Sequence, residues 1–352
     1  MDALRSDSYL TEPQNLENYS SISSENIEQV LRGASILSGG GGGSYSGALD
    51  NFRTHYPNEV EVRGLDEFSA DDNIATVFGL GPVNNDTEDP IEIAEESVEM
   101  YESEYGQIDG LILGELGPHL IVEAVTIADR LDVPVVDADV AGMRAVPSIQ
   151  NEIIEESEIS RTPLVATNGE ESEYIEDGSG QEIEREVREL TEGDIWYITG
   201  YANTAEGYSD SVPEGWLDEC IGFGQSEMDR VVQGTLESVE YEQIDGHTVG
   251  RMIIGGDGTV EVYFQNENIL AYLNGEEVAR APDTISVVDS DGVGVYNGSL
   301  PEEGEDLEVY QITNPFWQDT ECFDLPTLNI DADGDRVNFE ENTEYIITGG
   351  QE

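Results

Sequence analysis

The sequence predicts an α/β domain with a partly parallel sheet, followed by a mostly antiparallel β domain that closes into a barrel or a sandwich. A strand–helix–strand unit of about 30 residues lies in the first half. Short apolar strands separated by turn dipeptides fill the second half. The length of 352 residues favours two domains. We place a polar extension at 1–22, the α/β domain at 23–165 and the β-rich domain, with flanking helices, at 166–352.

The first domain opens with an apolar stripe that is typical of a helix. Ile27, Val30, Leu31, Ala34 and Leu37 recur at the spacing of one helical face. A run of consecutive glycines, 39–43, ends this helix, and SYSGALDNF then begins a second helical stretch. NIATVFGLGPV predicts a buried strand that runs into a Gly-Pro turn, and a further helix follows from residue 90.

The clearest unit is IDGLILGELG, a strand, then PHLIVEAVTIADRL, a helix, then VPVVDAD, another strand. A crossover of this length joins parallel strands. Glu115 follows the first strand, and Asp137 and Asp139 end the second. Ligands bind at the carboxyl edge of open parallel sheets. We therefore predict that Glu115, Asp137 and Asp139 are catalytic residues at that edge.

The second half changes character after residue 165. Ile183, Val187 and Leu190 indicate one amphipathic helix, and a second is predicted around 216–232. Turn dipeptides such as Asp257-Gly258 and Asn274-Gly275 then separate short strands, which indicates antiparallel hairpins. The predicted strands are RMIIGG, TVEVYF, NILAYL, EEVARA, TISVVD, VGVYN, LEVYQI and EYIITG.

The composition predicts a folded cytoplasmic protein adapted to very high salt. There are 78 acidic and 13 basic residues, every basic one is Arg, and the formal charge is −65. Such a charge strains a compact fold in dilute buffer, and molar salt, with a Debye length of about 3 Å, relieves the strain. A hydrophobic fraction of 38% with regular periodicity argues against an acidic disordered chain. Nucleic acid and membrane partners are not expected, because clustered basic residues and long apolar runs are both lacking.

The absence of Lys excludes several kinds of cofactor chemistry. No Walker-type lysine and no pyridoxal phosphate Schiff base are available. The glycine run is also no dinucleotide fingerprint, because a helix precedes it, so no nucleotide cofactor is expected. The run either caps the first helix or binds an anion or a polar ligand through its N–H groups. On the second interpretation, Gly40, Gly41 and Gly42 bind substrate.

Water at the sheet edge can be activated in two ways. Either carboxylates act on it directly, or His119, Asp137 and Asp139 hold a divalent metal such as zinc. For His119 alone, capping of its helix is the simpler interpretation. A polar segment, Gln265 to Asn268, lies between two apolar strands, and it forms either a tight turn or a ligand-facing network.

Several segments together resemble the S-methyl thiohydantoin desulfurase-like proteins, often labelled hydantoinase. The composition adds the expectation of a haloarchaeal-type member. The resembling stretches occur in the order of the family and cover most of residues 24–312. They include GASILSGGGGGSYSG, DGLILGELGPH, LDVPVVDADVAGMRAVPSIQ and VYFQNENILAYLNGEEVARAPDTISVVD.

The resemblance implies an α/β domain followed by a β-rich domain, and a hydrolase that acts on a small, polar, hydantoin-like ring. In that type of reaction, water replaces a methylthio group and releases methanethiol. The positions carried over are the glycine run, Glu115, Asp137, Asp139, Arg144, Pro147, Gln265, Asn266, Glu267 and Asn268. Among them, Arg144 suits a substrate carboxylate, because its planar fork binds both oxygens.

The chain also departs from the family pattern. His119 stands in an LGPH turn where the family has a Gly-Gly-Leu-Asn type turn, and Ser148 stands where the family has an acid. These departures motivate an alternative, a non-catalytic binding or regulatory protein that uses the same cleft. The sequence leaves assembly into a homo-oligomer open.

Overall fold

A computed structural model of the protein describes most of the chain between residues 19 and 314. The predicted strand EYIITG and most of the polar extension lie outside the described residues. The described residues are 10, 19–55, 57–81, 90–149, 152–157, 159–191, 193–209, 211–222, 227–244, 247–314, 316, 329–330 and 336–337.

The N-terminal unit is an eight-stranded mixed sheet with helices on both faces, which confirms the predicted α/β class. Its strand order is β1-β2-β5-β4-β3-β8-β6-β7, and the neighbours β2, β5, β4 and β3 pair in parallel. The elements are β1 (Ser21–Ile22), α1 (Ile27–Leu37), α2 (Tyr45–His55), β2 (Val60–Arg63), β3 (Asn73–Leu80), α3 (Pro90–Tyr105), β4 (Gly110–Leu113), α4 (Pro118–Leu131), β5 (Val135–Asp139), β6 (Leu164–Thr167), β7 (Ser172–Ile175), α5 (Gly180–Leu190), β8 (Trp196–Thr204), α6 (Ala205–Ser209) and α7 (Trp216–Gly222), with 3₁₀ turns at Leu65–Glu67 and Ile153–Glu156.

The central strands are apolar at successive positions because both faces of the sheet are covered. Leu111 belongs to the core under α1 to α4, and its neighbour Ile112 belongs to the core on the opposite face. Val135 and Val136 divide between the two cores in the same way. Continuous apolar runs are typical of parallel strands buried on both sides. This explains why LIL and VV run without polar interruption.

The first sheet extends beyond residue 165, where the composition changes. The strand β8 pairs antiparallel with β3 and with β6, so residues up to Thr204 belong to this sheet. The helix predicted at 216–232 ends at Gly222, and its second half is wrong. From Glu227 the chain forms a strand instead, because residues 227–235 pair antiparallel with the strand at 306–313.

The C-terminal unit is a seven-stranded, fully antiparallel curled sheet, a half-barrel, as predicted. Its order is β13-β12-β11-β10-β9-β15-β14. Asn274 and Gly275 both have positive φ in the β12–β13 turn, which the Asn-Gly dipeptide favours. The elements are β9 (Glu227–Ile244), β10 (His247–Gly256), β11 (Thr259–Gln265), β12 (Glu267–Leu273), β13 (Glu276–Arg280), β14 (Thr284–Asp289) and β15 (Asp306–Thr313), with a separate pair β16 (Asn329–Ile330) and β17 (Arg336–Val337).

One predicted strand of this unit is wrong. VGVYN makes only an isolated bridge, between Gly294 and Val288. Gly294 lies instead against α1: its N–H binds the Ser35 hydroxyl at 3.0 Å, and a Cβ added to it would lie 1.9 Å from the Ser35 carbonyl oxygen. The Asp289 N–H donates to the Val293 carbonyl at 2.9 Å and the Val295 N–H to the Val287 carbonyl at 2.7 Å, so pairing with β14 is limited to the one bridge at Gly294.

The two units meet along the glycine run. The main-chain N–H of Asn268 donates to the Gly39 carbonyl at 2.7 Å, and that of Asn297 donates to the Gly40 carbonyl at 2.9 Å. Across the same junction, Asn314 donates a side-chain hydrogen bond to the Gly142 carbonyl at 2.6 Å. Separately, within the described part of the chain, no helix has both the length and the apolar character needed to cross a membrane.

Candidate functional site

A cavity of about 460 Å³ lies at the junction of the two units. Its N-terminal wall comes from the glycine run, the carboxyl ends of β3 and β4, and the first turns of α4. Its C-terminal wall comes from the start of β12 and the segment 296–299. The polar or charged side chains that line it are those of Ser44, Glu115, His119, Glu123, Glu152, Arg188, Tyr197, Thr248, Asn266, Glu267, Tyr296, Asn297 and Ser299.

Residues 39–43, here called the glycine loop, are held on both sides and leave no room for side chains. Gly42 has φ of +65°, and a Cβ there would lie 2.4 Å from the Gly117 Cα. A Cβ on Gly41 would lie 2.0 Å from Oε1 of Glu267. The close approach of backbone to a carboxyl group and to a second backbone is what requires glycine here. The loop does more than cap α1, because it joins both units at the cavity.

Two carboxyl groups from different units, one half-buried and one buried, form the centre of the site. The Val146 N–H donates to Oε2 of the half-buried Glu115 at 2.9 Å. Burial raises the pKa of Glu115 to about 7, against the opposing effects of this hydrogen bond and of Arg188 and Arg144. Glu267 is 4% exposed, and its Oε2 has no hydrogen-bond partner. Burial and then the charge of Glu115 raise the pKa of Glu267 well above its usual range.

These two carboxyl groups therefore differ in protonation near pH 7. Like charges in one low-dielectric site cannot both ionise, and the group nearer to cations keeps the negative charge. The pKa of Glu115 rises only to about 7, with Arg188 and Arg144 opposing the effect of burial, whereas the charge of Glu115 adds to the effect of burial on Glu267. The arrangement is one base and one acid at a common cavity.

The histidine of α4 lies next to the glycine loop. Its main-chain N–H donates to the Gly42 carbonyl at 3.0 Å, and its ring packs so closely that a Cβ on Gly47 would lie 2.9 Å from Nε2 of His119. Burial lowers the pKa of His119, and a hydrogen bond to the main chain of Ser44 opposes this effect. Nε2 is buried without a partner. The neutral ring thus presents an unused nitrogen at the cavity wall and does not cap α4.

Asp137 and Asp139 do not line the cavity. Asp139 is fully buried, and its carboxyl accepts N–H groups from Ala141 at 2.9 Å and from Met143 at 2.9 and 3.0 Å. Asp137 accepts the Leu217 N–H at 3.0 Å at the start of α7. Burial raises the pKa of Asp137 to about 6 and that of Asp139 to about 7. Both predicted catalytic aspartates instead hold main-chain turns next to β5.

The predicted metal ligands His119, Asp137 and Asp139 are not brought together. Only His119 reaches the cavity, and the two aspartates bind main-chain N–H groups. Across the ranges that the structure covers, no three His, Cys, Asp or Glu side chains form a group able to hold a metal ion. These residues do not fit the zinc site expected from the sequence, because the two aspartates hold main-chain N–H groups away from His119.

Four of the predicted substrate-binding residues line the cavity, and three do not. Gly41, Gly42, Asn266 and Glu267 are in its wall, whereas Gly40, Arg144 and Gln265 lie behind it. The Arg144 guanidinium is buried and donates to the carbonyls of Pro282 and of Ala145. Burial lowers its pKa to about 10, and Glu267 opposes this most strongly. Arg144 therefore supports the site electrostatically, without reaching a substrate carboxylate.

The site also contains residues that the sequence reasoning missed, among them Glu123, Glu152, Arg188, Tyr197 and Asn297. Glu123 carried a usable signal, because it lies four positions after His119 on the same helical face. It is also the single acid within the apolar run LIVEAVTIA. The others come from distant elements, and no local pattern marks them.

The side chain of Asn297 has an orientation that its partners fix. Its Nδ2 donates to the Asn266 carbonyl at 2.7 Å and to Oδ1 of Asn268 at 3.0 Å. Both partners are acceptors, so Nδ2 must face them, and Oδ1, which is buried without a partner, faces the other way. Asn297 thus carries a buried acceptor without a partner, in a residue that lines the cavity.

The structure gives Ser148 an acidic partner from another element. Its hydroxyl donates to Oε2 of Glu184 on α5 at 3.2 Å, and the Ile149 N–H donates to the same oxygen at 2.9 Å. The other oxygen of Glu184 accepts Nε of Arg188 at 2.8 Å. The Glu184 carboxylate therefore lies next to Ser148, where the family has an acid in the chain itself. The same carboxylate holds Arg188 at the cavity wall.

We expect Glu123 to make folding stability depend on pH. Burial raises the pKa of Glu123 to about 8 from an ordinary value of 4.5. The folded state then keeps a proton that the unfolded chain has lost, so this stabilisation is full below about pH 4.5 and disappears as pH rises through 8. The free energy of unfolding of the Glu123→Gln variant should fall less between pH 5 and 8 than that of the wild type. Urea unfolding in molar KCl at a series of pH values measures this free energy, and Glu96→Gln on the exposed surface is the control. An equal dependence on pH in Glu123→Gln and in the wild type would contradict the raised pKa of Glu123.

Comparison with known proteins identifies the family. Residues 25–177 match the S-Me-THD-like, N-terminal domain, and residues 179–325 match the S-Me-THD-like, C-terminal domain. A crystal structure of a protein from Chromobacterium violaceum, a structural genomics target, shares the fold with a TM-score of 0.71 at 19% identity, covering 86% of this chain and 94% of that chain. No curated protein matches the sequence. The two domain matches follow one another along most of the chain, and the protein belongs to the S-Me-THD-like family.

Proposed function

We propose that the cavity binds a hydantoin-type five-membered ring and hydrolyses it, with S-methyl thiohydantoin as the first substrate to test. The observation that carries this proposal is the pair of carboxyl groups, Glu115 and Glu267, at a cavity lined by the glycine loop. A base and an acid at one cavity suit the replacement of a leaving group by water. The family match supports the choice of ring.

Glu115 acts as the general base in this proposal. A pKa of about 7 lets it hold a negative charge at neutral pH and still accept a proton from water. The water oxygen bonds to the ring carbon that carries the methylthio group, Glu115 takes one water proton, and the electron pair of the C=N bond moves to the ring nitrogen. The Val146 N–H fixes one carboxyl oxygen of Glu115, which keeps the other available to the water.

Glu267 acts as the general acid. When the C=N bond reforms, the carbon–sulfur bond breaks, and the methanethiolate leaving group takes the proton of Glu267. Because its pKa is raised, Glu267 keeps this proton at neutral pH until the carbon–sulfur bond breaks. Proton transfer from Glu115 to Glu267 restores the pair. The remaining hydroxyl proton moves to the ring nitrogen, so the products are hydantoin and methanethiol.

The glycine loop and His119 are suited to hold the ring. The N–H groups of Gly42 and Gly43 bind no acceptor within the described part of the chain, so they are available to the negative charge that develops on the ring nitrogen. Nε2 of His119 and Oδ1 of Asn297 are buried acceptors without partners. They suit the N–H group of a hydantoin ring, because a buried acceptor is costly until a donor reaches it.

The test is a turnover assay on a panel of rings in molar KCl, with S-methyl thiohydantoin, hydantoin and dihydrouracil as substrates. We expect methanethiol release from the first compound, measured with a thiol reagent after removal of the protein. Failure to turn over any five-membered ring would overturn the proposal. Assays with and without chelator, together with elemental analysis, decide whether a metal takes part.

The same panel tests the alternative of a binding protein that uses this cavity. Thermal stabilisation by a ring compound, with no turnover of any compound, would favour a non-catalytic binding or regulatory function. The acceptors on His119 and Asn297 suit either outcome, whereas a carboxyl group with a pKa of about 7 in the cavity wall is suited to general base catalysis. We therefore rank hydrolysis first.

A further inference from the structure

We propose that Glu123 and Tyr197 form a second part of the cavity, a subsite for an N–H donor group at the end of an apolar arm of the ligand. This inference rests on the proposed function, because the ring itself is held at Glu115 and Glu267. The expected ligands are hydantoin-type rings whose ring substituent ends in an ammonium group or an uncharged N–H group. Neither residue has a role in the ring chemistry described above.

The first argument is the state of the Glu123 carboxyl group. Glu123 is 7% exposed and lines the cavity. The main chain of Gly79 and the hydroxyl of Tyr197 lie near it and lower its pKa, against the effect of burial. Its Oε2 nevertheless has no hydrogen-bond partner. A buried carboxyl oxygen without a partner is costly, and a donor supplied by a ligand removes that cost.

The second argument is the distance of Glu123 from the reacting groups. Glu123 follows His119 by four residues in α4, so it lies one helical turn, about 5–6 Å, further from the glycine loop. One cavity reaches both residues. A ligand whose ring is bound next to His119 can therefore reach Glu123 with a substituent of a few carbon atoms. The ring alone cannot contact both His119 and Glu123.

The third argument is the apolar surface around Glu123. The cavity wall includes Phe78, Leu80, Leu120 and Ile195, which belong to the N-terminal unit, as Glu123 and Tyr197 do. Leu120 precedes Glu123 by about one turn of α4, Phe78 and Leu80 flank Gly79, and Ile195 lies two residues before Tyr197. Apolar side chains of the cavity wall are therefore close in the chain to the residues of the subsite. An aliphatic arm that ends in a donor matches this part of the wall.

Charge favours a cation at the end of that arm. Glu115 and Glu123 both line this cavity, and the charge of Glu115 is one cause of the raised pKa of Glu123. Burial and Glu123 also raise the pKa of the Tyr197 hydroxyl, which therefore stays protonated. An ammonium group favours the ionised form of Glu123, so the carboxyl group releases its proton and accepts a charge-assisted hydrogen bond. A carboxamide binds the neutral carboxyl group and gains a weaker hydrogen bond.

The experiment compares three ring compounds of similar length: 5-(4-aminobutyl)hydantoin, 5-pentylhydantoin, and the hydantoin with a 3-carbamoylpropyl arm. Calorimetry or thermal shift in molar KCl gives their affinities for the full chain. We expect the aminobutyl compound to bind about tenfold tighter than the pentyl compound, with the amide between them. Equal affinity of all three, or tightest binding of the pentyl compound, would overturn the subsite.

Variants of Glu123 and Tyr197 then test whether these residues cause the preference for the aminobutyl compound over the pentyl compound. Glu123→Gln and Tyr197→Phe should each reduce the preference for the aminobutyl arm to about threefold or less, while affinity for the pentyl compound changes little. Glu96→Gln, on the exposed surface, is the matched control and should keep the full preference. An unchanged preference in Tyr197→Phe and in a folded Glu123→Gln would assign the donor subsite elsewhere. Binding of the three compounds without turnover of any ring would overturn the hydrolase proposal and leave the subsite standing.

Discussion

Replacing Glu115 with Gln should lower kcat for release of methanethiol from S-methyl thiohydantoin by about 10²- to 10⁴-fold. The amide keeps the size of the carboxyl group and can still accept the Val146 N–H, but it cannot take a proton from water. Binding of the ring should change much less than the rate, because the lost interaction acts in the transition state. Single-turnover measurements with calorimetric Kd values separate the two effects.

The matched control for this variant is Asp137→Asn. Glu115 follows β4 and Asp137 lies within the neighbouring strand β5, and burial raises the pKa of both carboxyl groups, to about 7 for Glu115 and about 6 for Asp137. Asp137 lies outside the cavity and accepts the Leu217 N–H, so its variant should keep kcat within a few-fold of the wild type. A large rate loss in Asp137→Asn together with a small one in Glu115→Gln would reverse the assignment.

Replacing Gly42 with Ala should destabilise the protein by about 2–6 kcal/mol, from backbone strain and a steric clash together. The residue has φ of +65°, and its new Cβ would lie 2.4 Å from the Gly117 Cα. The Gly117 atoms that the new Cβ would meet are all main-chain atoms, so no side-chain rotation can relieve the clash. Urea unfolding in molar KCl measures the loss, and cavity binding should weaken with it, because the glycine loop forms part of the wall.

Gly275→Ala separates strain from clash. Gly275 also has positive φ, +82°, but a Cβ there has no atom within 4 Å. We expect a loss of about 1–2 kcal/mol from the backbone conformation alone. A loss in Gly42→Ala that is no larger than the loss in Gly275→Ala would show that the glycine loop can move away from α4.

Much of the fold could be predicted because local patterns carry it. The helix PHLIVEAVTIADRL is α4 with the predicted bounds, and the stripe from Ile27 to Leu37 is α1. The Asn274-Gly275 turn lies between the two strands that it predicts. The failures are equally local: VGVYN reads as a strand, but Gly294 is fixed by Ser35 in a helix far away in sequence. Long-range contacts override propensity there.

The candidate site was predictable only in part. Of the residues that the sequence predicts for the site, those that line the cavity are Glu115, Gly41, Gly42, His119, Asn266 and Glu267. Asp137 and Asp139 share the strand-end position that singled out Glu115, yet their side chains turn to main-chain N–H groups at Leu217 and Met143. Position at a sheet edge does not tell which acid faces a ligand, because that depends on where the following loop places its N–H groups.

The sequence by itself determined the order of the two units, the parallel strands of the first sheet, the hairpins of the second, and the place of the glycine run between α1 and α2. Those features follow from periodicity and from turn residues, which act over a few positions. Only the tertiary structure decided that Glu115 and Glu267 share a cavity, that Arg144 lies behind its wall, and that Glu123 lies near Tyr197. Burial and proximity set the protonation of these groups, and both arise from contacts between residues far apart in the chain.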